Sequence, residues 1–322
     1  MLDGMNTTNN SEAGFGNRKS TLRLNQTTLK NTIHCNGVGL HSGADITLTM
    51  KPAAANSGVT FIRTDVEEGK GEIKARYDLV SDTRLCTKIT NEYDVSIGTV
   101  EHLMAAVAGC GLDNVDIELD GPEVPVMDGS SEPFVFLIEC AGLLDQHTAR
   151  QVVVVKKEVS VKIGDSVASL KPADDYTISL AIDFENKAIG KQEKYISVSA
   201  ASFKNDISRA RTFGSVQDVE MLRQMGLARG ASLDNAVGLD GDRVMNEEGL
   251  RFDDEFVRHK ILDCIGDLSL AGATLMGQFI GYKGGHALNN ALLRELFADE
   301  SNWELVNAAE FTPAPALLQA AD

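Results

Sequence analysis

From Leu22 to Leu144, short apolar runs alternate with polar and glycine-bearing turns. Residues 45–50, 58–62 and 115–119 carry the two-residue alternation of half-buried strands, and Asn36-Gly37 and Asp128-Gly129 carry turn chemistry. Residues 100–108 break that rhythm and predict a helix, with Thr99 as its N-cap and Gly109 and Gly111 as its stop. A second short apolar helix is expected over 133–140, ending near Gly142. Polar residues at 146–150 interrupt the pattern, and Val152-Val153-Val154-Val155 restarts it as a buried strand. Beyond it come strands at 159–163 and 177–183, a helix at about 215–225, a helix through His259 and a closing helix after Gly285. Helices and strands mix irregularly, which predicts α+β layers, two similar domains with a sheet against helices in each, rather than a doubly wound parallel sheet. No sequence repeat of 20 to 50 residues is evident, which leaves distant structural duplication of the halves open.

The 322 residues exceed the usual size of one domain. The expected division is an N-terminal tail at 1–20, a first domain at 21–147, a second at 148–300 and a C-terminal tail at 301–322. Forty-seven acidic residues against thirty basic ones give a net charge of −17, which argues against nucleic acid or an anionic membrane as partner. An anionic substrate would need a local basic pocket. Five cysteines, Cys35, Cys86, Cys110, Cys140 and Cys264, are odd in number and form no CxxC spacing, as expected in a reducing compartment. The first twenty residues lack the apolar core of a signal peptide, and no run is long enough to span a bilayer. A cytoplasmic protein without stable membrane insertion is the expectation.

The richest chemistry lies in Arg258-His259-Lys260-Ile261-Leu262-Asp263-Cys264-Ile265-Gly266-Asp267. His259, Asp263 and Asp267 fall at steps of four and share one helix face. Such a face can aim two ligands at one metal, or it can be a solvated polar stripe. A third ligand would come from elsewhere, and His102, directly after Glu101 at a helix start, is the best of the six histidines. Three ligands and an open position describe catalytic zinc, with Glu101 as base for an attacking water. A plain acidic first turn explains Glu101 equally well. His286 follows Gly284-Gly285, where it is either exposed or paired with Asp267 and kept charged beside an oxyanion. In Ser208-Arg209-Ala210-Arg211-Thr212-Phe213-Gly214, Thr212 could donate to an oxyanion and Phe213 could cover a sugar or base, or the segment is an ordinary basic strand end. Gly37 and Gly39 lack the rest of a dinucleotide fingerprint.

Taken together, Gly37-Val38-Gly39-Leu40-His41-Ser42-Gly43, Thr99-Val100-Glu101-His102-Leu103, Met127-Asp128-Gly129-Ser130, the segment 208–214, Phe256-Val257-Arg258-His259-Lys260 through Asp267, and Gly285-His286-Ala287-Leu288-Asn289-Asn290 resemble the UDP-3-O-acyl-N-acetylglucosamine deacetylase family. The resemblance runs from about Thr21 to Phe297. It implies a zinc amidase, with Fe2+ as an alternative metal, that releases acetate from a UDP-linked acylated glucosamine in the committed step toward lipid A of Gram-negative bacteria. It also implies an active site between the two domains. By matching positions it makes His102, His259 and Asp263 the metal ligands, Glu101 the base and His286 the charged partner of the oxyanion and leaving amine. Asp267 would stand behind His286, Thr212 would donate to the tetrahedral intermediate, and Lys260 and Phe213 would contact substrate. The acyl chain would run along the insert after Gly214, past Val216, Val219, Met221, Leu222 and Met225. In enteric relatives an apolar C-terminal tail is a signal for a regulatory protease, whereas this tail ends in Asp322. The competing readings are an amidase for another acylated amino sugar and a non-catalytic metal-stabilised binding protein.

Overall fold

The computed structural model describes residues 22–311. The expected N-terminal tail and the C-terminal residues compared with the enteric protease signal lie outside the described residues. The described chain is α+β, and its two halves repeat one strand order. In the first, Ile33–Val38, Asp45–Pro52, Val115–Leu119, Val59–Arg63 and Glu72–Lys74 are neighbours in that sequence. Every pair is antiparallel except Val59–Arg63 with Val115–Leu119. In the second, Val159–Ile163, Ser166–Lys171, Thr274–Tyr282, Tyr176–Asp183 and Lys191–Ser197 follow the same order, with the corresponding parallel pair between Tyr176–Asp183 and Thr274–Tyr282. The duplication left open by the sequence is therefore present in the topology.

Helices occupy matching places. In each half one helix precedes the strand that joins the parallel pair and one follows it. These are α1 (Glu101–Cys110) and α2 (Glu132–Ala141), and, after the short α3 (Ala200–Ser202) and α4 (Val216–Gln224), α5 (Glu255–Ser269) and α6 (His286–Phe297). Each half also carries an insert just before the first of its two matching helices, α1 or α5. One is a small sheet of Val80–Asp82, Lys88–Thr90 and Ser96–Ile97; the other contains Phe213–Ser215, α4, Val237–Asp240 and Arg243–Val244. The main packing between halves is α1 against α5. One apolar core runs through both, from Leu48, Phe61 and Ile117 to Leu170, Ile178 and Phe279, with Leu103 of α1 and Ile261 of α5 between them.

Several sequence expectations change. Thr99 is not the cap of α1: Val100 holds that position, and Thr99 adopts a left-handed φ of 56° while its hydroxyl donates to Glu123 Oε1 at 2.8 Å. Gly109 does not stop the helix, which runs to Cys110 and ends at left-handed Gly111. Asn36-Gly37 lies inside a strand, not a turn, because its neighbour Asp45–Pro52 supplies the pairing that local turn chemistry ignores. The polar stretch at 146–150 is ordered too: Leu143–Ala149 pairs with Asn25–Leu29. Residues 301–311 are not a tail, since Trp303–Asn307 pairs with Gln151–Val155 and Trp303 packs edge-on to Phe297 with ring centroids 4.9 Å apart.

Candidate active site

Helices α1 and α5 touch along a line that admits no side chain at Gly266, where an added Cβ would lie 2.0 Å from the Glu101 carbonyl oxygen. That contact brings the first turn of α1 beside the middle of α5. His102 Nε2 lies 3.5 Å from Asp263 Oδ1, and His259 Nε2 lies 3.3 Å from the same oxygen. One ligand atom from each residue falls within 4.8 Å of the others, and all three residues are buried. The solvated-stripe reading of α5 is thereby excluded: His259, Asp263 and Asp267 are at most 3% exposed.

The donor set fits a cation. His259 Nδ1 faces the Ala210 carbonyl at 3.0 Å, and a carbonyl only accepts, so that nitrogen carries the proton and Nε2 presents a lone pair. The lone pair meets the Asp263 carboxylate, whose Oδ1 is buried with no hydrogen-bond partner, and His102 Nε2 faces the same oxygen. Buried acceptors converging without a donor are unfavourable, and a cation between them removes the conflict. Burial pushes the His259 imidazolium down to about 4, which keeps the ring a neutral ligand. Burial alone would raise Asp263, but the positive charge around it, including the Lys260 ammonium, holds the carboxyl well below its usual range.

Beside this cluster stand a carboxylate and a third imidazole. Glu101 Oε1 lies 3.7 Å from His286 Nε2, and His286 Nδ1 donates to Asp267 Oδ2 at 2.8 Å. Burial would lower the His286 pKa, yet the Asp267 and Glu101 carboxylates raise it to about 9. Burial also raises Glu101, against the pull of His286 and His102. His286 is the first residue of α6 and its side chain is mostly buried against Asp267, so it is paired and not an exposed turn histidine.

Phe213 borders the cluster from the second insert, and Thr212 immediately precedes it. Thr212 is tied through its backbone, donating to Gly129 O at 2.8 Å and accepting from Val237 N at 2.7 Å. Among the described residues it shares no hydrogen bond with His102, His259, Asp263, Glu101 or His286. The Phe213 ring meets His259, Phe256 and Phe184 edge-on, with centroids 6.0, 4.9 and 5.8 Å away. Lys260 Nζ donates to Asp263 Oδ2 at 3.0 Å and lies 5.8 Å from the Phe213 centroid, so part of its charge already answers a carboxylate.

The five residues proposed along an acyl path do not line one groove. Leu222 and Met225 face a cavity of about 440 Å³ bounded by His41, Leu85 and Leu227, while Val216 and Val219 face another of about 200 Å³ with Leu233 and Met245. Met221 borders neither and is exposed. Residues three apart share a helix face, which groups Val216 with Val219 and Leu222 with Met225, and the two pairs open onto different spaces.

Sequence reasoning missed several participants. Arg211 is no strand-end cation: it is buried, with Nε on Glu255 Oε1 at 2.9 Å and Nη1 on Glu248 Oε1 at 2.6 Å. Asn289 donates to Asp267 Oδ2 at 2.9 Å, and its i+3 spacing from His286 was the available signal. Thr87 donates to both Glu101 and Asp267, partners 14 and 180 residues away, and nothing local announces it.

Comparison with known proteins follows the same residues. The model of the UDP-3-O-acyl N-acetylglycosamine deacetylase family matches residues 26–298. The UDP-3-O-acyl-N-acetylglucosamine deacetylase of Pasteurella multocida is 50% identical over 285 residues, 88% of this chain and 93% of that protein. Its counterpart from Idiomarina loihiensis is 50% identical over 289 residues, covering 89% and 94%. The Haemophilus influenzae protein of the same name is 48% identical over 294 residues, covering 91% and 96%.

Proposed function

Because the chain belongs to the UDP-3-O-acyl N-acetylglycosamine deacetylase family, we propose that it hydrolyses the N-acetyl group of a UDP-linked, 3-O-acylated N-acetylglucosamine and releases acetate. One observation carries this reading: the buried His102–His259–Asp263 cluster stands beside a carboxylate, Glu101, and a charged imidazole, His286. A purely structural metal site would need neither neighbour.

His102, His259 and Asp263 would hold zinc, and the same donors accept Fe2+. When bound, the ion supplies Lewis acidity, polarising a carbonyl and bringing the pKa of water toward about 7. Glu101 takes the proton of the attacking water through Oε1. His286, charged by Asp267, offsets the developing oxyanion and returns a proton to the leaving amine. Thr212 donates to the tetrahedral oxygen. Lys260 and Phe213 engage the anionic and ring parts of the substrate, so recognition is local despite a net charge of −17. In the same reading the chain divides into domains at 147/148 with the site between them, acts in the cytoplasm of a Gram-negative cell and commits its substrate to lipid A.

The test is Glu101→Ala. The variant should keep its metal while turnover falls about 100- to 10,000-fold, the span expected for loss of a base. Undiminished acetate release would remove the proposed mechanism. Comparing the UDP-linked substrate with the same acylated sugar lacking UDP separates this activity from that of an amidase for other amino sugars.

A further inference from the structure

Thr87 lies between the two carboxylates that flank His286, and each of its polar groups has one partner. Its N–H donates to Glu101 Oε2 at 3.0 Å, its hydroxyl donates to Asp267 Oδ1 at 2.6 Å, and its carbonyl accepts from Val100 N at 3.3 Å. The side chain is 2% exposed. It sits immediately before Lys88–Thr90, so the small sheet inserted in the first half delivers it to the α1–α5 junction.

The pattern assigns one oxygen of each carboxylate. With Oε2 of Glu101 engaged by a backbone donor, Oε1 is the oxygen that faces His286 Nε2. With Oδ1 of Asp267 engaged by the hydroxyl, Oδ2 remains for His286 Nδ1 and Asn289 Nδ2. Neither carboxylate can rotate without breaking a buried hydrogen bond, which is costly. A threonine hydroxyl has one proton to give, and its β-branch restricts χ1, so the donor direction is fixed.

Resting on the deacetylase reading, we infer that Thr87 is a positioning residue that locks Glu101 and Asp267 in the orientations their acid–base roles require. Its hydroxyl touches no reacting atom in this scheme and acts through Asp267. By analogy with groups that orient metal ligands, whose removal typically costs about 10- to 100-fold in activity, a loss of that order is expected.

The test compares Thr87→Val and Thr87→Ser in the metal-loaded, full-length enzyme. Val is nearly isosteric and removes only the hydroxyl. It should lower kcat about 10- to 100-fold with KM within about twofold and metal content unchanged, whereas Ser should stay within about threefold of the parent. In an Asp267→Asn background the Val substitution should cost less than about threefold, because its partner is already altered. Independently of turnover, the downfield Nδ1 proton resonance of His286 should persist in the Ser variant and broaden or vanish in the Val variant. A Val variant with parental kcat and an intact resonance overturns the inference, as does a Ser variant as impaired as Val. Failure of the deacetylase reading looks different: the parent enzyme itself would release no acetate from the UDP-linked substrate, while the resonance comparison still decides the role of Thr87.

Discussion

A single imidazole, His286, sits between two carboxylates, and the balance of forces on it sets a pH window. Burial would discharge it, but Asp267 and Glu101 hold its pKa up to about 9. If the charged ring is required, kcat/KM should hold through neutral pH and fall as pH rises through about 9. Asp267→Asn removes the nearer negative charge, so the alkaline limb should move down toward or below the ordinary histidine value, along with a loss of rate. A pH–rate profile of both proteins measures this, and an unmoved limb would show that Asp267 does not charge His286. At this scale the sequence was informative where chemistry is local. His259 and Asp263 share a helix face by simple periodicity, and His102 follows Glu101 directly. Thr87 and the Ala210 carbonyl were invisible because their roles exist only after segments remote in sequence are folded together.

Between elements, the decisive contact is α1 on α5, and its tightest point is Gly266 under the Glu101 carbonyl. A methyl there has to push the helices apart or displace the first turn of α1. Gly266→Ala should therefore destabilise the protein by about 1–3 kcal/mol, the usual cost of overpacking, and lower metal affinity because His102 rides on the displaced turn. Urea denaturation and metal competition with a chelator read the two effects, and parental values in both would mean that the helices yield without disturbing the site. Element identity was legible over much of the chain: Val115–Leu119 and Val159–Ile163 follow their apolar alternation to the residue. Boundaries failed where tertiary pairing overrode local chemistry. Asn36-Gly37 signals a turn but is held straight by the next strand, and Thr99 resembles a cap but spends its hydroxyl on Glu123.

On the scale of the molecule, two halves of equal topology meet through one core, and the candidate metal cluster draws His102 from the first half and His259 and Asp263 from the second. The repeat was not legible in sequence because strand order is a property of pairing, and different side chains fill equivalent layers. A cation bound across that junction interacts with the folded arrangement and not with separated helices, so binding must add to stability. At a free metal concentration one hundred times Kd, the linkage is about 2.7 kcal/mol, enough to raise Tm by a few degrees in a chain of this length. Removing the metal with a chelator should lower Tm by that amount, and restoring zinc should recover it. His102→Ala and His259→Ala, one ligand from each half, should each abolish the metal-dependent part of Tm, because either loss leaves the bridge anchored on one side. Scanning calorimetry with and without zinc distinguishes this from a site contained within α5. If His102→Ala retained the full zinc-dependent rise in Tm while His259→Ala lost it, the metal would be held by the second half alone, and the junction would be a packing surface rather than the seat of the site.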